Sequence, residues 1–366
     1  MITGNPLDLH FPDVFFEMAG LVPGGRMMLK LEGFNITGSI KLKSALFMVE
    51  HLERRGLLVP GRSTLVESSS GNLGVAVALI CRMRGYGFIC VTDPNISASN
   101  LRAIRAYGGR IDRVETKDEQ GGYLRTRLDR VAELLTQDPD RVWLNQYANP
   151  ANARAHAQWT ARQILQSVPR VTHLYVGTGT TGTMMGLAES FARLSPQTEL
   201  VAVEPEGSVT FGAARPGRRR LPGLGTSSRP AIADADRVHR IVHVAERDAV
   251  RRCHRTLEAH GLLVGSSTGY VLEAVASDAD GFAPDSVVVG ISPDFGDKYL
   301  DTLYAPEWLE ANFEDARETF PGVGEDGGPG EPLCGPLSEI LDHSWGDGED
   351  PAPEPAPRSH LPLPTP

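Results

Sequence analysis

Lys41 sits in the stretch GFNITGSIKLKSA (33–45) of a chain that carries five lysines against 31 arginines. Where a plain positive charge suffices, this sequence uses Arg. A retained lysine therefore points to a need for an amine, because a guanidinium stays protonated in proteins whereas an ε-ammonium can lose its proton and form an imine. Leu42, Ala45, Leu46, Val49 and Leu52 follow at helical spacing. Lys41 is accordingly expected near a helix N-terminus, where the positive end of the dipole disfavours an ammonium and lowers the amine's pKa.

Three glycine-rich turns between a strand and a helix could serve such an amine. In YVGTGTTGTMMG, Gly177, Thr178, Gly179, Thr180 and Thr181 lead into a helix whose free N–H groups suit a phosphate. The loop has neither the Lys of a Walker A sequence nor the GxGxxG spacing of a dinucleotide site, so a small phosphate ester remains. In ESSSGNLGVAVA, Ser68, Ser69, Ser70, Gly71 and Asn72 suit a carboxylate held by amides and hydroxyls, or simply cap the helix. In VGSSTGYVLEAV, Ser266, Ser267 and Thr268 open another helix, and capping alone would also explain them. An imine-forming amine with a phosphate cradle and a carboxylate cradle describes a pyridoxal phosphate enzyme acting on an amino acid.

The elements that must position these groups alternate in type. Between about residues 60 and 295, the strand candidates STLVES, GFICVTD, RIDRVET, VWLN, HLYVG, ELVAVEP, RIVHV and SVVVGIS are interleaved with helical periods such as Leu124, Leu128, Val131 and Leu135. This pattern predicts an α/β fold of two doubly wound parallel-sheet domains. Asn149-Pro150 follows the strand VWLN and marks a boundary, giving an N-terminal domain over 12–149 and a C-terminal domain over 150–320. Cys81, Cys90 and Cys253 read as buried thiols. With Cys334 they show no CxxC spacing, so neither a metal site nor a disulfide framework is expected.

The net charge of −10 is concentrated at one end, since residues 321–366 hold nine acids and one Arg, a net of −8. A nearly neutral body argues against a broad nucleic-acid-binding face. That Pro-, Gly- and acid-rich end is expected to be a disordered tail. Within it Leu337, Ile340, Leu341 and Trp345 could form one short helix that docks on a protein partner or binds nothing. The longest apolar run, around Val75 to Cys81, is far short of the roughly 20 residues of a membrane span, and MITGNPLDLHF has no secretory pattern, so cytoplasmic residence is expected.

FNITGSIK, SSSGNLG, GTGTTG, GSSTG and PDFGDKYL occur in the order and spacing of the cysteine synthase family, fold type II pyridoxal phosphate enzymes, which the chain resembles over about residues 12–310. DPNISASNLRAIRAYG, GGYLRTR, NQYAN and GSVTFG look most like the branch that joins O-phospho-L-serine to L-glutamate on the way to 2,3-diaminopropionate for siderophores and peptide antibiotics. The resemblance implies that Lys41 holds pyridoxal 5'-phosphate, Asn72 meets its ring hydroxyl oxygen, Gly177 to Thr181 hold its phosphate and Ser267 faces its ring nitrogen. It also implies that Ser69, Ser70, Gly71, Asn72 and Gln146 hold the substrate carboxylate. Arg127 and Tyr147, in the branch-specific motifs, are the candidates for the charged substrates, although Arg127 could also be a solvated helix-face residue and Tyr147 could simply pack at the domain junction. A homodimer and a mobile subdomain at about 80–125 follow from the resemblance too. Cysteine synthesis from sulfide or β-replacement with another amine, and a non-catalytic binding homologue, are the competing readings. Many cysteine synthases follow the lysine with Asp-Arg, whereas Leu42-Lys43 stands here.

Overall fold

The computed structural model describes residues 2–9, 13–119, 121–212, 217, 219–314 and 316–320. They all belong to one unit, Met1–Asp326, while the expected tail, its short helix and Cys334 lie outside the described residues. Among the described residues the ten strands are β1 (Phe15–Met18), β2 (Arg26–Leu31), β3 (Thr64–Ser68), β4 (Gly87–Thr92), β5 (Arg110–Arg113), β6 (Arg141–Trp143), β7 (His173–Gly177), β8 (Glu199–Pro205), β9 (Arg240–Val244) and β10 (Val287–Ser292). A four-stranded sheet runs β5-β4-β3-β6 and a six-stranded sheet runs β1-β2-β10-β7-β8-β9.

All pairings are parallel except β1 with β2. The eight strands read from the sequence are present. The two before Lys41 were not anticipated, and they lie in the larger sheet: β2 pairs with β10 from Arg26↔Val287 to Leu31↔Ser292.

Strand alternation explains how both sheets are covered on two faces. On β3, Leu65 points into a core with α1 (Lys41–Arg54) and α2 (Asn72–Arg84), whereas Val66 points to the opposite face, packed by α4 (Leu124–Thr136). α3 (Ala98–Ala106) adds Ile104 to the first of these cores. On β10, Val288 packs with Val271 and Leu272, and Val289 with Met184, Leu187 and Phe191. Those partners come from α9 (Ser266–Ser277) and α7 (Gly182–Leu194) respectively.

The stretch read as one helix, NARAHAQWTARQILQSV, is divided: α5 (Pro150–Ala155) passes through a π turn at His156–Thr160 into α6 (Ala161–Ser167). α8 (Glu246–His260) contributes the buried Cys253, and Cys81 and Cys90 are buried thiols as well. Among the described residues no helix is long and apolar enough to cross a membrane.

Candidate active site

The C-terminal ends of six parallel strands, β3, β4, β6, β7, β8 and β10, deliver their loops to one cavity of about 470 Å³. Parallel sheets place ligands there because the following helix N-termini and open backbone groups converge at that edge.

Lys41 opens α1 and reaches the cavity half-buried. Its approach is shaped by Asn35, whose Nδ2 donates to the carbonyls of Glu32 (2.9 Å) and Ser39 (2.8 Å) while its Oδ1 accepts from the amide and hydroxyl of Thr37. Gly38 completes the turn at φ 65°, a conformation that favours glycine. Ser39 forms a β-bridge with Asp294, and the Ile40 amide donates to Pro293 O at 2.8 Å. Among the described residues nothing hydrogen-bonds the Lys41 amine. Burial lowers its pKa, and the charge of Asp294 opposes that shift. Removal from water is the leading cause of the shift.

In the cradle after β7, Gly177, Gly179, Thr180 and Thr181 line the cavity. Thr178 does not, because its amide and hydroxyl both donate to Val203 O (2.9 and 3.2 Å) and its hydroxyl lies 3.1 Å from the buried Glu204. Thr178 therefore anchors the loop to β8 instead of facing a ligand. Thr181 adopts φ 65°, an outlier for a β-branched residue, immediately before α7. Asn152 steadies the loop through Thr180 Oγ1 at 3.3 Å, packed where any side chain on Gly182 would collide with it.

After β3, Ser69, Ser70, Gly71 and Asn72 line the cavity. The capping alternative describes Ser69 well, since its Oγ accepts from the amides of Gly71 (3.2 Å) and Gly74 (3.1 Å). Ser267, buried in the first turn of α9, lines the cavity. Gln146 joins from β6, its Nε2 donating to Ser68 O at 2.8 Å.

Arg127 is 8% exposed, so it is no solvated helix-face residue. It lines the cavity with Tyr147 and pairs with Asp93 at 3.3 Å. Its buried Nε has no partner among the described residues. Glu67, fully buried behind these groups, accepts from the amides of Ser68 (2.9 Å) and Gln146 (3.3 Å).

Sequence reasoning gave no chemistry to Asp294, Lys298 and Tyr299, which line the cavity from the PDFGDKYL segment, or to Asn95, Ser97 and Asn100 from DPNISASN. Both stretches drew notice only as motifs. For Lys298 a signal was available in the scarcity of lysine itself.

A phosphorylated aldehyde fits these residues: an unpaired amine of lowered pKa, open amides at a helix N-terminus, and Asn72 and Ser267 side chains in one enclosure. Residues 17–294 match the family model described as pyridoxal-phosphate dependent enzyme, and the chain belongs to that family. Its cofactor is pyridoxal 5'-phosphate and its fold is fold type II. Among the relatives, N-(2-amino-2-carboxyethyl)-L-glutamate synthase of Ralstonia nicotianae is 40% identical over 312 residues, covering 84% of this chain and 92% of that protein. Among solved structures, O-ureido-L-serine synthase superposes with a TM-score of 0.76 at 29% identity over 83% of this chain and 96% of its own. An O-acetylserine dependent cystathionine beta-synthase from Helicobacter pylori gives 0.76 at 26% identity over 82% and 98%.

Proposed function

We propose that this enzyme performs a β-replacement joining O-phospho-L-serine to L-glutamate, releasing phosphate and giving N-(2-amino-2-carboxyethyl)-L-glutamate, a step towards 2,3-diaminopropionate. The carbon–oxygen bond of the phosphoester breaks, a carbon–nitrogen bond to the glutamate amine forms, and that amine gives up a proton. The observation that carries the choice of an acidic amino acid as nucleophile is the buried guanidinium of Arg127, lining the Lys41 cavity beside Tyr147. Such a donor suits a second carboxylate. The likeness to the Ralstonia protein supports the same assignment.

The cofactor supplies an electron sink for the bond pair released at the substrate Cα. Lys41 holds the cofactor and moves the Cα proton, for which burial favours its free-base form. Gly177, Gly179, Thr180 and Thr181 hold the cofactor phosphate, Asn72 meets the ring hydroxyl oxygen, and Ser267 faces the ring nitrogen as a neutral donor. Ser70, Gly71 and Gln146, with the Ser69 loop, hold the substrate carboxylate. Homodimer assembly and cytoplasmic residence complete the reading. The first rests on the motif resemblance, and the two are checked by sedimentation and cell fractionation.

The test offers the purified holoenzyme O-phosphoserine with glutamate, sulfide or other amines in turn, reading phosphate release and product mass. Release with glutamate and a product of the coupled mass are expected, and Lys41→Ala should abolish both. A product with sulfide but not glutamate would make the protein a cysteine synthase, and no release with any acceptor would leave a binding homologue.

A further inference from the structure

The amide of Asn72 is held at both ends. Its Nδ2 donates to Asp294 Oδ2 at 2.6 Å, and Lys298 Nζ donates to its Oδ1 at 2.8 Å. A carboxylate only accepts here and a lysine amine on this oxygen only donates, so the two partners decide which end of the amide is oxygen and which is nitrogen. Reversing the amide would face oxygen to carboxylate and NH₂ to the lysine amine. The two ends have nearly the same shape, so packing alone would leave that choice open.

Both partners are themselves fixed. Lys298 Nζ also donates to Thr37 O at 3.0 Å, in the turn that leads to Lys41. Asp294 is 2% exposed, its Oδ2 accepts a second bond from the Tyr299 hydroxyl at 3.0 Å, and its backbone bridges Ser39. Asp294 and Lys298 thus join the start of α1 to the start of α2 through the segment after β10. Asn72 Nδ2 carries two hydrogens. One goes to Asp294, and the second remains for an acceptor in the cavity that Asn72 lines.

We propose that Lys298 and Asp294 are positioning residues that lock the orientation of the Asn72 amide, so that its remaining Nδ2–H is offered to the ring hydroxyl oxygen of the cofactor. This rests on the role given to Asn72 above. Burial lowers the pKa of Lys298 and the Asp294 charge opposes the shift, which ties the two partners to each other as well as to Asn72.

The test compares full-length wild type with Asn72→Ala, Lys298→Met, Lys298→Arg and the Asn72→Ala/Lys298→Met double variant. The readouts are the affinity of the stripped chain for pyridoxal 5'-phosphate and the position of the bound cofactor's visible band. Asn72→Ala and Lys298→Met should each weaken binding about tenfold, as for the loss of one hydrogen bond worth ~1.4 kcal/mol, and should move the band alike. Lys298→Arg, which keeps a donor, should stay near wild type. The double variant should match Asn72→Ala alone, because Lys298 acts through that residue. Wild-type affinity and band in Lys298→Met, or a double variant showing the product of the two losses, would overturn the positioning role while leaving Asn72 in place. An unchanged Asn72→Ala would overturn the Asn72 assignment itself and this inference with it.

Discussion

Lys43 Nζ lies 2.8 Å from the Glu32 carboxylate, two residues beyond Lys41, whose amine has no such partner among the described residues. Gln163 accepts from Lys43 at 2.6 Å, and Lys30 stands 3.7 Å from Glu32, all three charges being nearly inaccessible to water. The Leu42-Lys43 pair that departs from the resembling sequences thus packs a structural ion pair beneath α1. Removing one member of a buried pair leaves the other without compensation. Lys43→Met should cost about 3 kcal/mol, near the low end of that effect because Lys30 still faces Glu32. Urea denaturation of the holoenzyme measures it, and an unchanged midpoint would contradict the account.

Glu67 predicts a pH dependence of stability. Burial pushes its carboxyl up to about 8, against the opposing pull of the backbone amides it accepts. Between the unfolded carboxyl value of roughly 4.3 and about 8, the native chain holds a proton that the unfolded chain lacks. Its contribution is therefore fully present below that window, falls as pH rises through it, and levels off above. Glu67→Gln, neutral throughout, should flatten the fall in denaturation midpoint between pH 5 and 8 relative to wild type. Parallel pH curves for the two proteins would remove Glu67 as the source.

The parts of this molecule legible in its sequence are those governed by local pattern. Val66, Ile89 and Val176 sit in runs whose β-rich composition and flanking turns announce strands, and Lys41, Gly177 and Ser267 stand where a strand or loop gives way to a helix. β2 escaped because RMMLKL is rich in Met and Lys and finds its partner only at β10. The π turn at His156 escaped for a related reason, since its helical periodicity continues through the insertion. Thr178 and Ser69 sit in the right loops, but side-chain rotation turns their hydroxyls to backbone partners, which spacing cannot reveal. Asp294 and Lys298 gain their meaning from Asn72, more than 200 positions away.

Gly186 carries a packing prediction. A Cβ at this position would collide with the carbonyl oxygen of Ala153 and lie 2.8 Å from the Ala157 amide nitrogen, so α7 rests directly on the backbone of α5 and the π turn. Gly186→Ala should lower stability by about 1–3 kcal/mol. Because α7 begins at the phosphate cradle, affinity for pyridoxal 5'-phosphate should fall as well. Thermal melts with and without added cofactor separate the two effects.

Asp294→Asn tests electrostatics without removing an acceptor for Asn72. The Asp294 charge raises the Lys41 pKa, so its neutralisation should lower it further. More free amine is then present at acid pH. The acid limb of the pH profile for cofactor capture by the stripped chain should move to lower pH, as read by stopped-flow absorbance. An unmoved acid limb would show that Asp294 does not act on this amine.

The pairing of β2 with β10 constrains the order in which the chain can be assembled during synthesis. β2 is finished by residue 31, yet its parallel neighbour begins only at residue 287, so the larger sheet stays incomplete until nearly all of the described chain has been made. Long-range closures of this kind are slow steps in folding. The smaller sheet draws every strand from residues 64–143 and is free to form first. The reactive lysine, ten residues past β2, is thereby fastened into its enclosure among the last events of maturation.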